Sequence, residues 1–292
     1  MAKKKQVNNQ PPQEIVSEIN KILTTRYRLK FKNVAQKDYS DLITNHEIVL
    51  SAGPAGVGKS YVAIARAIEL LQNKTTSFEK LLILKPAIEA DEKHGFLPGD
   101  MREKMEPYVA SSMDIIDKII GEKNRNKLEE VGIIKVEALA YIRGKSIDNS
   151  ILIMEEAQNM SPNQVKTLLT RIGENSKFII SGDLDQSDRY KDVTESGLYD
   201  AVNRHRHLDE IGYYEFSVED IVRNPIITKI LRNYSTTSSV NGILPSKIIK
   251  ERPQPPKSQI IKEGENPDKN KRPISLKARW IHLIRKIKKL FV

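Results

Sequence analysis

The residues from Gly53 to Ser60 have the spacing of a phosphate-binding loop. Gly53 is followed, after four residues, by the tripeptide 58–60, which gives the pattern G-x-x-x-x-G-K-[ST]. Glycines let such a loop turn its N–H groups toward phosphate oxygens, and the following helix points its positive end at them. The lysine of the pattern reaches the β- and γ-phosphates, and the hydroxyl binds Mg²⁺. The sequence therefore predicts a nucleotide site formed by Gly53, Pro54, Ala55, Gly56, Val57, Gly58, Lys59, Ser60 and Tyr61.

Two adjacent glutamates, Glu155 and Glu156, follow the apolar run SILIM. A phosphate loop needs an acidic residue at the end of a neighbouring strand to hold Mg²⁺, and aspartate is usual there. Glu155 is one methylene longer, but it can still bind Mg²⁺ directly or through water. We expect Glu156 to position or deprotonate the attacking water. The alternative is a pair of exposed glutamates without a catalytic role.

A third polar group follows the run KFIIS, where Gly182 and Asp183 precede Gln186. At the end of a neighbouring strand, this arrangement places Asp183 and Gln186 beside the γ-phosphate. Gln186 is therefore a candidate for sensing hydrolysis. The alternative is a turn, since Gly-Asp is also a common turn sequence.

Short apolar runs alternate with amphipathic stretches along the chain. Six runs predict strands, namely HEIVLSAG, KLLILKP, IIKVEAL, SILIM, KFIIS and YYEFSV. Apolar residues recur at helical spacing in SYVAIARAIELLQ and in SPNQVKTLLTRI, where Ser161 and Pro162 mark a helix start. Further helices are expected at 14–23, 36–43, 101–120 (with a break or start at Pro107) and in NPIITKILRNY. Strands that are apolar throughout predict an α/β fold with a mostly parallel sheet and helices on both faces.

Composition excludes several classes of protein. The 292 residues are 39% hydrophobic and 29% charged, with no cysteine. No apolar run reaches the ~18 residues of a transmembrane helix. Disulfide scaffolds, thiol catalysis and cysteine-based zinc sites are excluded, and the five scattered histidines predict no metal site. The basic start MAKKK has no apolar stretch behind it, so we expect a cytoplasmic protein without a secretory signal.

The formal net charge of +10 is concentrated at the two ends of the chain. Residues 1–40 hold 9 Lys and Arg against 3 Asp and Glu, residues 241–292 hold 14 against 4, and residues 41–240 carry a net charge of −6. Residues 235–275 contain six prolines, which is typical of a linker. Residues 276–292 predict an amphipathic helix with an aromatic-bearing face and a basic face. The ends are either solvated tails or regions that dock onto nucleic acid or an anionic membrane. For the helix at 276–292, a groove on a partner protein and the protein's own body are further alternatives.

Six segments, in this order, resemble the PhoH family of phosphate-starvation-inducible ATPases: GPAGVGKS, KPAIEADEKHGFLPGDMREKMEPY, AYIRG, ILIMEEAQN, LLTRIGENSKFIISGD and DIVRNPIITKI. The resemblance implies a single RecA-like P-loop NTPase core, similar to the first motor domain of superfamily 1 helicases. It also implies binding and hydrolysis of ATP with Mg²⁺, and an RNA-related role. The expected organisation is a basic arm and helix at 1–32, the ATPase domain at 33–234, a linker at 235–275 and a basic amphipathic helix at 276–292.

The resemblance also implies roles for residues outside the loop. Gln36 is similar to the glutamine that reads the adenine edge in helicase-like motors, with a surface glutamine as the alternative. Arg223 matches a family arginine, although Asn224 replaces the histidine that usually follows. It is either an arginine finger, in cis or in a neighbour's site, or a structural ion-pair partner. The Arg-Gly pair at 143–144 is implied to contact phosphate or nucleic acid. Lys85, where the family usually has arginine, is implied to contact a nucleic-acid backbone.

The leading hypothesis is an ATPase coupled to single-stranded RNA or another nucleic acid. Its catalytic residues would be Lys59, Glu156, Gln186 and Arg223, and its Mg²⁺ ligands Ser60 and Glu155. One RecA-like core lacks a second motor lobe, so translocation would need a homo-oligomeric ring such as a hexamer. One alternative is a nucleotide-gated adaptor with slow turnover, which a glutamate at 155 favours. The other is a membrane-peripheral ATPase docked by its C-terminal helix.

Overall fold

Six strands form one sheet in which every neighbouring pair is parallel. The computed structural model describes residues 13–86, 101–142 and 144–238. Within them the strands are β1 (Ile48–Ala52), β2 (Lys80–Lys85), β3 (Ile134–Ala138), β4 (Ser150–Met154), β5 (Lys177–Gly182) and β6 (Ile211–Glu215). Their order across the sheet is β3-β2-β4-β5-β1-β6. The carboxyl ends of β4, β5 and β1 are therefore neighbours, and ligands bind at this kind of edge in parallel sheets.

Helices cover both faces of the sheet. They are α1 (Gln13–Thr24), α2 (Val34–Asn45), α3 (Lys59–Gln72), α4 (Met101–Ile120), α5 (Glu122–Glu130), α6 (Pro162–Leu169), α7 (Gly197–His205) and α8 (Pro225–Ser238). Alternate residues of each strand point to opposite faces. Val49 of β1 packs in a core with helices α1 to α5, and its neighbour Leu50 packs in a second core with α6 and α7. This arrangement confirms the predicted RecA-like α/β class.

Two predicted boundaries are wrong. β6 was expected at residues 213–218 but lies at Ile211–Glu215, because its register with β1 pairs Ile211 with Ile48. Phe216, just after the strand, is buried in the core instead. The expected break or start at Pro107 is also wrong, because α4 runs without interruption from Met101 to Ile120. A proline fixes φ near the helical value, so a helix can pass through it at the loss of one hydrogen bond.

Two helices were not anticipated from the sequence. α5 consists of charged residues and asparagines except for Leu128, its one buried residue, so it has no apolar periodicity to detect. α7 buries four residues of its nine, but it begins with Gly197, which resembles a turn signal. Both helices owe their stability to packing against neighbouring helices and the sheet rather than to a strong local pattern.

The predictions for the chain ends lie largely outside the described residues. These are the basic residues at the N-terminus, almost all of the linker at 235–275 and the amphipathic helix at 276–292. The expected helix at 14–23 is present as α1. Of the helices that the structure describes, none is both long enough and apolar enough to cross a membrane.

Candidate nucleotide-binding site

The loop between β1 and α3 has the backbone that the glycine spacing predicts. Gly53, Gly56 and Gly58 have φ values of +146°, +93° and +94°, a region that side chains disfavour. Gly53 is also crowded, since a Cβ there would lie 2.6 Å from the Cβ of Phe216. The loop therefore requires glycine for both its conformation and its close contact with the end of β6.

Lys59, the first residue of α3, folds back over this loop. Its Nζ donates to the carbonyl oxygens of Gly53 at 2.5 Å and Pro54 at 3.0 Å. Burial lowers the pKa of the Lys59 ammonium, and the nearby charges of Asp183 and Glu156 oppose that shift. The ammonium could exchange these two carbonyl oxygens for phosphate oxygens of a nucleotide, as the motif predicts.

Asp183, at the end of β5, also holds the loop. Its Oδ2 accepts a hydrogen bond of 3.0 Å from the Ala55 N–H, and its Oδ1 accepts one of 3.2 Å from the Asp185 N–H. Burial raises the pKa of this carboxyl group, while the positive charge of Lys59 opposes the rise. The sequence predicts Asp183 beside the γ-phosphate together with Gln186, but it assigns a catalytic role to Gln186 alone. The hydrogen bond between Asp183 and the loop is seen only in the structure.

Glu155 is buried and tied to neighbouring elements. Its Oε2 accepts a hydrogen bond from the Ser112 hydroxyl on α4 and lies 3.6 Å from the Nζ of Lys85 at the end of β2. Lys85 also donates to the Ser111 hydroxyl at 3.3 Å. The Lys85 side chain is thus engaged with Glu155, whereas the resemblance implied contact with a nucleic-acid backbone. Sequence reasoning missed Ser112 entirely, because a single serine within a helix carries no signal.

Glu156 is exposed, in contrast to its neighbour. It has a φ of +55°, and residues other than glycine store strain in this region, typically at functional sites. The buried Gln158 donates to Glu156 Oε2 at 2.7 Å and to the backbone oxygen of Gln186 at 3.2 Å. Its Oε1 accepts from the Asp183 N–H at 3.1 Å. Gln158, which sequence reasoning missed within the motif ILIMEEAQN, therefore links the ends of β4 and β5.

Gln186 lies in the turn that follows β5. Its backbone N–H donates to the Asp183 carbonyl oxygen at 3.1 Å, which holds the turn closed. The Gln186 side chain is exposed, so it is free to approach a ligand. The structure thus brings Gln186, Glu156 and Lys59 to the same edge of the sheet, and their catalytic roles stay predictions.

Gln36 is buried at 2% exposure, which excludes the surface alternative. Its Nε2 donates to the Val57 carbonyl oxygen at 2.9 Å, and its Oε1 accepts from the Lys32 N–H at 2.9 Å. A Cβ on Gly58 would lie 2.7 Å from this Nε2. The amide therefore braces the phosphate loop. One N–H and one lone pair are left, the pair of groups that an adenine edge would use, so adenine recognition stays a prediction.

Arg223 lies against the phosphate loop of its own chain. A Cβ on Gly56 would lie 3.0 Å from the Cδ of Arg223, and the Val222 N–H donates to the Gly56 carbonyl oxygen at 3.1 Å. Arg223 is exposed, and it forms no ion pair with any residue in the described part of the chain. Of the sequence-based alternatives, this position favours an arginine acting in cis.

The remaining loop residues differ in their surroundings. Ser60 is partly buried in the first turn of α3. The Tyr61 hydroxyl forms a hydrogen bond of 2.7 Å with the hydroxyl of Tyr27, which lies in the segment before α2. Gly144 is exposed with a φ of +74°, and Arg143 lies outside the described residues.

The donor groups of the site suit Mg²⁺. A carboxylate and a hydroxyl are the hard oxygen ligands that this ion prefers, and Glu155 and Ser60 supply one of each. However, Glu155 already has the Lys85 ammonium as its counter-charge. A metal ion that used Glu155 would therefore compete with Lys85.

Comparison with known proteins adds the family. Residues 28–235 match the family model described as PhoH-like protein. The PhoH-like protein of Bacillus subtilis (strain 168) is 39% identical over 206 residues, which cover 70% of this chain and 64% of that protein. Protein PhoH of Escherichia coli (strain K12) is 35% identical over 206 residues, which cover 70% of this chain and 57% of that protein. Among solved structures, the HK97 bacteriophage large terminase covers 80% of this chain and 53% of its own, with 12% identity and a TM-score of 0.42.

The matched region spans less than two thirds of the length of these two relatives. It nevertheless contains the phosphate loop, the carboxylates at the ends of β4 and β5, and Arg223. The family model covers most of this chain, and the parallel sheet and the phosphate loop agree with it. We conclude that this chain, a protein with a P-loop NTPase fold, belongs to the family of PhoH-like proteins.

Proposed function

We propose that this protein binds Mg-ATP at the loop of residues 53–61 and hydrolyses it. The observation that carries the proposal is the convergence of three strand ends on this loop. Lys59 lies on the loop, and Asp183 of the β5 end bonds to it. The β4 end supplies two glutamates, of which Glu156 is connected to β5 through Gln158. Phosphoryl transfer requires mainly positioning and electrostatic stabilisation, and these residues can provide both.

Each residue has a proposed role. Lys59 exchanges its two backbone carbonyl partners for oxygens of the β- and γ-phosphates. Glu156, which is exposed and oriented by Gln158, accepts the proton of the attacking water. Gln186 orients that water or senses the loss of the γ-phosphate. Arg223, which lies beside Gly56, stabilises negative charge in the site of its own chain.

Ser60 and Glu155 are the proposed ligands of Mg²⁺. The ion, when bound, neutralises charge on the phosphate oxygens. To bind the metal, the Glu155 carboxylate must either leave Lys85 and Ser112 or contact them and the metal at the same time. Its extra methylene, compared with aspartate, gives it the length to reach α4, and the same length lets it move.

We further propose that nucleotide turnover is coupled to single-stranded RNA or another nucleic acid. The support is the family resemblance and the positive charge outside residues 41–240. Because the family region forms one RecA-like core, movement along a strand would require a homo-oligomeric ring.

A nucleotide-gated adaptor with slow turnover is the second candidate. The ion pair between Glu155 and Lys85 favours it, because a carboxylate that already has a cation partner is a weaker metal ligand. The two candidates differ in turnover rather than in binding. An adaptor would bind ATP tightly and change conformation, yet hydrolyse ATP at a rate that nucleic acid does not raise.

The test measures the binding of a fluorescent ATP analogue together with the release of phosphate, with and without single-stranded RNA or DNA. Lys59→Ala should abolish turnover while the protein stays folded. Glu156→Gln should bind the analogue normally but hydrolyse ATP at least ~100-fold more slowly. Glu130→Gln, an exposed glutamate on α5, is the matched control and should behave as the parent. Parental turnover in Lys59→Ala would refute the assignment of the loop.

A further inference from the structure

The segment between α1 and α2 presents a row of positive charge. Its exposure alternates with a period of two residues, as in an extended chain. The exposed side chains, which we call the basic strip, are Arg26, Arg28, Lys30 and Lys32. The partly buried side chains between them are Tyr27, Leu29 and Phe31. The apolar side chains thus lie against the protein, and the four cations point to solvent.

Helix α3 holds the backbone of this segment in place. The Tyr27 N–H donates to Gln72 Oε1 at 3.0 Å, and the Leu29 N–H donates to Glu69 Oε1 at 2.7 Å. Glu69 is itself fixed by an ion pair of 2.8 Å with Arg66. Because these bonds involve alternate backbone N–H groups on the inner side, the basic strip is ordered before any ligand arrives. Such pre-organisation reduces the entropy lost on binding.

The basic strip ends at the phosphate loop. The Lys32 N–H donates to Gln36 Oε1, and Gln36 Nε2 donates to the Val57 carbonyl oxygen within the loop. One amide side chain therefore connects the last residue of the strip to the nucleotide site. A ligand on the strip and a nucleotide in the loop would act on the same brace.

The four cations have no acidic partners. Residues 26–32 contain no aspartate or glutamate, and none of the four forms an ion pair with a residue that the structure describes. They stand on a body whose residues 41–240 carry a net charge of −6. Four unpaired cations on such a body are an electrostatic footprint for a polyanion.

We propose that the basic strip is a binding site for the sugar–phosphate backbone of single-stranded nucleic acid. The period of the strip favours this ligand, because alternate residues of an extended chain are about 7 Å apart. That repeat is comparable with the phosphate repeat of an extended single strand. A lipid surface is disfavoured, because the apolar residues of the segment face the protein and cannot insert into a bilayer. The inference rests on the proposed coupling to nucleic acid and is independent of ATP hydrolysis.

The test is the salt dependence of binding in the full chain. The probe is a labelled single-stranded oligouridylate of about 15 nucleotides, measured by fluorescence anisotropy. One variant carries Arg26→Gln, Arg28→Gln, Lys30→Gln and Lys32→Gln. The matched control removes the same charge from exposed lysines elsewhere, with Lys74→Gln, Lys123→Gln, Lys135→Gln and Lys166→Gln. All variants retain residues 239–292, so any binding by that region contributes equally.

Each phosphate contact on a single strand contributes about 0.7 to the slope of log Kd against log salt concentration. If the strip variant loses four such contacts, its slope should be lower than the parental slope by about 2.8. Between 50 and 200 mM salt, the parent should therefore lose about 50-fold more affinity than the strip variant. The control should keep most of the parental slope, and both variants should bind the fluorescent ATP analogue as the parent does. That last measurement separates this inference from the proposed nucleotide site.

Three results would overturn the inference. In the first, the strip variant keeps the parental affinity for the oligonucleotide and the parental salt slope. In the second, the strip and control variants lose affinity and slope to the same extent, which would indicate diffuse electrostatic attraction. In the third, the parent does not bind the oligonucleotide but binds anionic vesicles, and the strip variant does not bind them. The strip would then be a lipid-binding site. In each case normal binding of the ATP analogue would leave the proposed nucleotide site intact.

Discussion

Replacing Lys85 with methionine tests how the predicted metal ligand is held. Lys85 Nζ lies 3.6 Å from Glu155 Oε2, and their side chains are only 12% and 4% exposed. Methionine keeps much of the length and apolar character of the lysine stem but removes the charge. Glu155 would then be a buried carboxylate, and its partner among the residues that the structure describes would be the Ser112 hydroxyl.

The expected cost is large for a single substitution. Removing one partner of a buried ion pair costs about 3–5 kcal/mol, because the other charge is left uncompensated. We expect the lower end, about 3 kcal/mol, because Ser112 still donates to Glu155. The double variant Lys85→Met/Glu155→Gln should recover most of this loss, since no charge is then left unpaired. Urea unfolding without metal measures each free energy, and Lys74→Met, at an exposed site, is the control.

The same substitution should change the response to Mg²⁺ in the opposite direction. A unit charge about 4 Å away is worth about 1 kcal/mol even with the dielectric constant of water. Without Lys85 as a competitor, the Mg²⁺ concentration that gives half-saturation in the presence of a non-hydrolysable ATP analogue should fall at least about fivefold. This midpoint is measured from the shift in melting temperature during a Mg²⁺ titration. Unchanged unfolding free energy together with an unchanged Mg²⁺ midpoint would refute the reasoning.

Three further predictions concern the rest of the chain. Burial lowers the pKa of Lys177 to about 8, below its ordinary value near 10.5. The unfolded chain therefore binds more protons between these values, and the unfolding free energy should rise by about 3 kcal/mol from pH 8 to 10.5, a rise that Lys177→Met should remove. Equal pH profiles for the two proteins would contradict this. Gly53→Ala should lower the unfolding free energy by about 3 kcal/mol, because the new Cβ would lie 2.6 Å from the Cβ of Phe216. The control is Gly121→Ala, where φ is +83° but no atom lies within 4 Å of the new Cβ, and it should lower the unfolding free energy by about 1 kcal/mol. Similar melting temperatures for the two variants would argue against steric crowding at Gly53. Deleting residues 276–292 should leave ATP turnover unchanged and abolish co-sedimentation with anionic vesicles, whereas a lower melting temperature with vesicle binding retained would show that the segment docks on its own protein.

The sequence alone was sufficient for the class of the sheet, six apolar strands in a mostly parallel arrangement, and for the phosphate loop, because both depend on local patterns. The loop requires glycines at fixed spacing, and its φ values of +93° at Gly56 and +94° at Gly58 bear out that requirement. The strands that alternate with helices are apolar throughout, a pattern typical of parallel sheets with two covered faces. The carboxyl ends of the strands then had to lie at a common edge, because the strands are parallel, but the order that makes β4, β5 and β1 neighbours came from the structure.

Tertiary structure alone decided which partners the site residues have. Glu155 meets Ser112, 43 residues earlier in the chain, and Gln36 meets Val57, 21 residues later. Neither contact leaves a trace in local periodicity, because each depends on how two elements pack in space. The exposed row of the basic strip is a similar case. The alternation of basic and apolar residues is visible in the sequence, but its attachment to α3 and its approach to the phosphate loop follow from hydrogen bonds between distant residues.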